Sequence, residues 1–205
     1  MRTLHLLLAL CYPPAAHFAL ISAQSSWALW LLIAVSGTQL LVLIPHFSQQ
    51  KIAVIAPSLI LLFCIFSLAK GSLLALYLPP FLIQGTLLWL FAGSLQQGKE
   101  PLITRIARVV FQQQDEATAH YTRRVTQLWS LFFIALLIET LLLTLFAPLE
   151  IWSLFANIVN YLLIVLLFSA EFVYRRLRFP QRSSPQQLLK VFASTDWPAL
   201  FREKG

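Results

Sequence analysis

Apolar residues occupy this chain in long blocks separated by short polar breaks. A helix needs ~20 mostly apolar residues to cross the ~30 Å hydrocarbon core of a bilayer. Six blocks meet that length, and the pattern predicts spans over residues 4–22, 27–45, 52–69, 72–95, 126–147 and 151–174. Ser25 and Ser26 make the first break, residues 46–51 the second, and Lys70 with Gly71 the third and tightest. Pro148, Leu149 and Glu150 form the turn between the last two spans.

One polar interruption is much longer, residues 96–125. Gly98 ends the fourth span and Pro101 opens a helix, since proline suits the first helical position. Leu102, Ile103, Ile106, Val109 and Val110 then share one helical face, with Thr104, Arg105 and Arg108 on the other. That is the pattern of a helix lying in the headgroup plane with its cations toward lipid phosphate. Residues 112–114, all glutamine, end it, and Asp115 is a suitable N-cap for a helix rising through His120 and Tyr121 into the fifth span. The tail, residues 175–205, opens on Arg175, Arg176, Arg178 and Arg182. It holds two short amphipathic pieces: Ser184 caps a helix from Pro185 with Leu188, Leu189 and Phe192 on one face, and Trp197, Leu200 and Phe201 dock a last turn on the membrane surface.

Two proline pairs stand out. Pro13 and Pro14 interrupt the first span, where they should kink the helix and free a carbonyl. Pro79 and Pro80 do the same in the fourth. A shared local pattern precedes both pairs, Leu7-Leu8-Ala9-Leu10 and Leu73-Leu74-Ala75-Leu76, each two residues short of its prolines. Copies in opposite orientation would be the inverted repeats from which many transporters build a central site; recurrence by chance in leucine-rich spans is the alternative. The first span could also be taken for a signal peptide with Ala23 before the cut, but its prolines, His17 and the immediate return of apolar sequence favour a retained span.

Composition and charge sharpen this picture. Of 205 residues 59% are hydrophobic and 11% charged, with a mean hydropathy of +0.75, against about 25% charged in soluble domains. The formal charge of +7 does not indicate nucleic acid, because the basic residues gather at the ends of apolar blocks. Basic loops stay cytoplasmic. With the N-terminus inside, fourteen of the fifteen Lys and Arg fall on the inner side and only Lys70 on the outer. The expected fold is therefore all-α: a polytopic integral membrane protein with six transmembrane helices, both termini cytoplasmic, and an interfacial amphipathic helix between the fourth and fifth spans. Residues 1–174 form the membrane domain. Cys11 and Cys64 lie in apolar blocks and are expected to be inert thiols.

Candidate chemistry is sparse. Glu139, in mid-span, must face protein, pair or be protonated, because a carboxylate there costs about 2.5 kcal/mol or more. Asn157 falls at the same depth, as far after Pro148 as Glu139 is before it, and Asn160 slightly deeper. A bond from Asn157 to a neutral Glu139 would lock the helices or mark a proton or ligand site. Gln84, one turn past the second proline pair, could satisfy a freed carbonyl or join such a site. Glu171 has Arg123, Arg124 and Arg175 as possible salt-bridge partners. Glu171 and Arg175 also share the Glu-x-x-x-Arg spacing of some intramembrane proteases, whose other Glu and His are missing here. No phosphate loop, Gly-x-Ser-x-Gly or His-Glu-x-x-His occurs, and His5, His17, His46 and His120 are scattered. No catalytic residue, metal or cofactor is expected.

Five stretches, LPPFLIQ (78–84), GKEPLITRIAR (98–108), YTRRVTQLW (121–129), APLEIWSLFAN (147–157) and AEFVYRR (170–176), together resemble a family of bacterial inner-membrane proteins encoded alongside aryl polyene and xanthomonadin-type pigment pathways. The glutamine run 112–114 departs from that family. The resemblance implies an inner-membrane accessory or scaffold protein, whose basic cytoplasmic face (Arg105, Arg108, Arg123, Arg124, Arg175) docks acidic partners such as acyl carrier protein; contact with membrane lipids is the simpler use of the same charge. A small transporter or flippase component for a lipid-like product, with a site at Glu139, is the second expectation. An intramembrane enzyme is the third and has no motif behind it.

Overall fold

The computed structural model describes residues 2–22, 26–43, 51–111 and 116–178. The 46–50 connection, the glutamine run 112–114, Asp115, Ala23 and both amphipathic pieces of the tail lie outside the described residues. Among those described, every regular element is helical: α1 (Arg2–Ile21), α2 (Ser26–Leu43), α3 (Lys51–Lys70), a 3₁₀ turn (Leu74–Tyr77), α4 (Leu78–Gly93), α5 (Leu102–Phe111), α6 (Glu116–Phe146), α7 (Leu149–Leu154), a π turn (Phe155–Val159) and α8 (Asn160–Arg178). Among the described residues, four stretches are long and apolar enough to cross a membrane: Ser26–Leu43, Leu74–Gly93, Thr118–Phe146 and Leu149–Arg178.

The distribution of side chains fits a lipid surround. Buried positions are largely small or polar, such as Ala16, Ala28, Ser36, Cys64, Ser67 and Ala75, while Leu62, Ile65, Leu131, Phe146 and Leu166 are exposed. Hydrocarbon offers helices no hydrophobic incentive to hide leucine, so small residues that permit close backbone approach take the interior.

The chain divides into two compact units, one of Met1–Gly85 with Leu136–Leu163 and one of Thr86–Ala135 with Ile164–Gly205. In the first, α1 packs on α2, α2 on α3, and α1 also on α7 and the π turn. Its core gathers Leu20, Leu29, Leu32, Leu76 and Trp152 around the small residues. Here α3 closes at Gly71, whose φ of 61° is a left-handed conformation that a Cβ would disfavour. Ser72 N–H bonds the Ser67 carbonyl at 2.8 Å and Gly71 N–H the Leu68 carbonyl at 3.2 Å, the paired bonds that seal a helix C-terminus. The Ser67 hydroxyl accepts the Ala75 N–H at 3.0 Å and so anchors the 3₁₀ turn.

The two proline pairs land in unlike places. Pro13 and Pro14 lie within α1. Pro79 and Pro80 sit in the first turn of α4, after the 3₁₀ turn, where the N–H groups have no intrahelical partner and proline removes nothing. The expected break in mid-span is therefore a helix start, and the shared sequence pattern does not produce a repeated broken helix.

In the second unit Ser94 joins two helices. Its hydroxyl donates to the Phe91 carbonyl at 2.7 Å and accepts the Leu102 N–H at 2.9 Å, closing α4 and opening α5. Phe91 meets Trp129 and Phe133 of α6 at ring separations of 5.8 and 5.4 Å. In the amphipathic α5, one residue departs from its expected side. Thr104, placed by the pattern on the lipid-phosphate side, is 5% exposed and shares a 2.7 Å hydrogen bond with Thr122. Thr126 accepts the Ile103 N–H at 3.3 Å. Unbonded first-turn N–H groups need acceptors, and α6 supplies one, so α5 is fastened to protein along this edge.

Candidate functional site

Polar groups cluster in the first unit on α4, α6 and the start of α8. Asn160 Nδ2 donates to Glu139 Oε2 at 3.0 Å. Thr140 Oγ1 lies 3.5 Å from the same carboxylate oxygen and is joined to Gln84, accepting from Nε2 at 3.0 Å with Oε1 at 3.1 Å. One hydroxyl carries one proton, so Thr140 donates to Gln84 or to Glu139 at any moment. Gln84, Thr140, Glu139 and Asn160 thus form one hydrogen-bonded chain. Two of its buried acceptors, Glu139 Oε1 and Asn160 Oδ1, have no partner among the described residues.

Two expectations are corrected here. Asn157 does not reach Glu139; it donates to Ser153 Oγ at 3.1 Å, and Asn160 takes the carboxylate instead. Counting depth at a uniform α-helical rise missed the π turn at Phe155–Val159, where Asn160 N–H bonds Phe155 O. An i→i+5 turn holds an extra residue, so the chain climbs less per residue and the deeper asparagine comes level. Gln84, likewise, serves no carbonyl freed by prolines, because Pro79 and Pro80 free none; its amide crosses to α6.

A second polar group was invisible in the sequence because its members are far apart. His17 Nδ1 and Ser153 Oγ are 3.1 Å apart, the separation of a base and its nucleophile. Ser153 is 0% exposed, however, and Asn157 occupies its hydroxyl as donor. No substrate reaches that oxygen, and the arrangement fixes α1 against α7. Beside it, the Trp152 ring packs on Tyr77 at 4.4 Å.

In the second unit, Glu171 accepts from Tyr121 Oη at 3.1 Å and pairs with Arg175 Nε at 3.7 Å. Tyr121 stacks on Tyr174 at 5.9 Å, and the Arg175 guanidinium lies 5.6 Å from the Phe172 centroid. Arg123 and Arg124, expected as partners of Glu171, are exposed. Tyr121 makes the contact instead, and at ~100° per residue Arg123 turns to nearly the opposite side of the helix. Arg108 forms an ion pair with Glu100, and Arg105 Nη2 lies 3.5 Å from the Glu100 carbonyl.

Thr118, Thr122, Thr126 and Ser130 are all buried. Their spacing of four puts them on one stripe of α6, and the last three return hydroxyl bonds to the carbonyl four residues back. Hydroxyl residues recurring every fourth position are the sequence signal of this stripe. Among the described residues no three His, Cys, Asp or Glu side chains gather as a metal ion would require. No family model, curated protein or solved structure matches the chain.

Proposed function

We propose that this chain is an inner-membrane accessory protein that docks acidic soluble partners at its basic cytoplasmic face. The observation that carries the reading is the contact of Tyr121 with Glu171 and Tyr174. It brings the polar end of α6, with exposed Arg123 and Arg124, beside the end of α8, with exposed Arg176 and Arg178. Clustered like charge on a surface accelerates and selects encounters with partners of opposite sign. The family resemblance suggests an acyl carrier protein as that partner and a lipid-like aryl polyene pigment as the pathway's product. Membranes containing the protein should retain carrier protein at low ionic strength. Changing Arg123, Arg124, Arg176 and Arg178 together to Gln should weaken retention roughly fourfold or more, at about 0.2–1 kcal/mol for each exposed pair. Using uncharged lipid separates docking from competition by anionic headgroups, which attract the same residues. Equal retention by the variant would overturn the reading.

This function needs the arginines inside. We place six spans in the membrane with both termini cytoplasmic, supported by the fourteen-to-one division of basic residues. A cytoplasm-dependent reporter fused after Gly205 should be active, and a periplasm-dependent one silent. The reverse result would remove the topology and the docking face with it.

The chain of Gln84, Thr140, Glu139 and Asn160 favours a second reading, a small transporter or flippase component. Deleting the gene distinguishes the two: missing product points to assembly, and product stranded in the inner membrane points to export.

A further inference from the structure

We propose that Glu139 and Asn160 form a proton-binding site, in which Glu139 is a carboxylic acid joined to the Asn160 amide by two hydrogen bonds. One bond is observed, Asn160 Nδ2 to Glu139 Oε2 at 3.0 Å. The remaining atoms of the same two groups, Glu139 Oε1 and Asn160 Oδ1, are both buried and without a partner among the described residues. Asn160 is only 3% exposed. Were Glu139 ionised, both leftover atoms would be acceptors, and neither could serve the other. A proton on Oε1 turns one acceptor into a donor and gives Asn160 Oδ1 its bond, so a single added atom satisfies both groups.

The surroundings leave this role to the proton. Among the described residues, the side chains hydrogen-bonded to Glu139 are Asn160 and Thr140, with Gln84 behind Thr140, and all three are uncharged. On the elements of this unit that pack nearby, His17 is committed to Ser153, while Glu150 and Tyr161 are exposed. No basic side chain on the described residues of this cluster balances a carboxylate. Loss of the proton sets a negative oxygen against the Asn160 carbonyl, and the pair must open at the residue that ends the π turn. Proton occupancy is thereby coupled to the seating of α8 on α6. This follows from the pair alone and stands whether or not the chain transports anything.

Dicyclohexylcarbodiimide, which attacks protonated carboxyls in apolar surroundings, tests the site in native membranes. Glu139 should be converted to its N-acylurea at neutral pH, with labelling that falls as pH rises and disappears in Glu139→Gln. Exposed Glu150 should stay unmodified. Sodium at constant pH should not protect; protection would make this a metal-cation site and overturn the proton assignment. Absence of Glu139 modification at every pH would overturn it as well. Infrared spectra give an independent readout. A protonated carboxyl band should vanish in Glu139→Gln and move to higher frequency in Asn160→Leu, where the acid loses its partner; a carboxylate band from Glu139 at neutral pH would refute the proposal. Glutamine reproduces the acid's donor and acceptor, so Glu139→Gln should accumulate at the wild-type level, and its collapse would also count against the pair.

Discussion

Trp152→Ala is expected to destabilise the protein by about 3 kcal/mol, measured as reversible unfolding in mixed detergent micelles. The side chain is 1% exposed in the core of the first unit and packs on Tyr77. Buried Trp-to-Ala changes in soluble cores cost about 3–5 kcal/mol. In hydrocarbon the transfer part of that cost largely cancels, leaving the cavity and the lost dispersion contacts, hence the lower end. Trp152→Phe should cost much less. It keeps a ring against Tyr77 and removes an indole N–H that is buried without a partner among the described residues, and deleting an unsatisfied donor offsets part of the lost packing. A loss below about 1 kcal/mol for the alanine variant would show that the ring does not fill this core.

Thr126→Leu should be comparably damaging, at about 2–4 kcal/mol, for the opposite reason. Thr126 is 0% exposed, donates to the Thr122 carbonyl at 2.9 Å and accepts the Ile103 N–H. Leucine overfills the seam between α5 and α6, which costs about 1–3 kcal/mol, and leaves the Ile103 N–H without its acceptor, which adds about 1 kcal/mol more. Cleavage by trypsin after Arg105 and Arg108 should accelerate as α5 lifts away. Thr126→Ser retains the hydroxyl and should behave nearly as wild type. If the leucine variant resists both unfolding and trypsin like the parent, the seam is not a packed contact.

Helix positions were legible because the bilayer imposes a length, and a run such as that ending at Phe146 or restarting at Leu149 cannot be mistaken for a soluble pattern. What escaped was set by geometry between helices. Pro79 and Pro80 look like breakers in sequence, yet the effect of proline depends on where the helix begins, and the 3₁₀ turn at Leu74–Tyr77 sets that beginning. At Glu139 the sequence demands that a mid-span carboxylate face protein, pair or be protonated, and Asn160 bonds it at 3.0 Å. Choosing between Asn157 and Asn160 required the π turn, for which FANIV carries no local signal. Periodicity places Thr104 outward, because it sorts residues by polarity and cannot see a facing hydroxyl such as Thr122. The bond from His17 to Ser153 lies beyond any such reasoning, since 136 positions separate the two.

At 31 residues, α6 is about 46 Å long, roughly half as long again as the hydrocarbon it would cross. The surplus belongs to the end that carries Tyr121, Arg123 and Arg124. A thinner bilayer lifts those arginines farther into water, whereas a thicker one draws them toward the phosphates or tilts the rod. The acyl-chain length of the host membrane thus becomes a height adjustment for whatever meets the protein there.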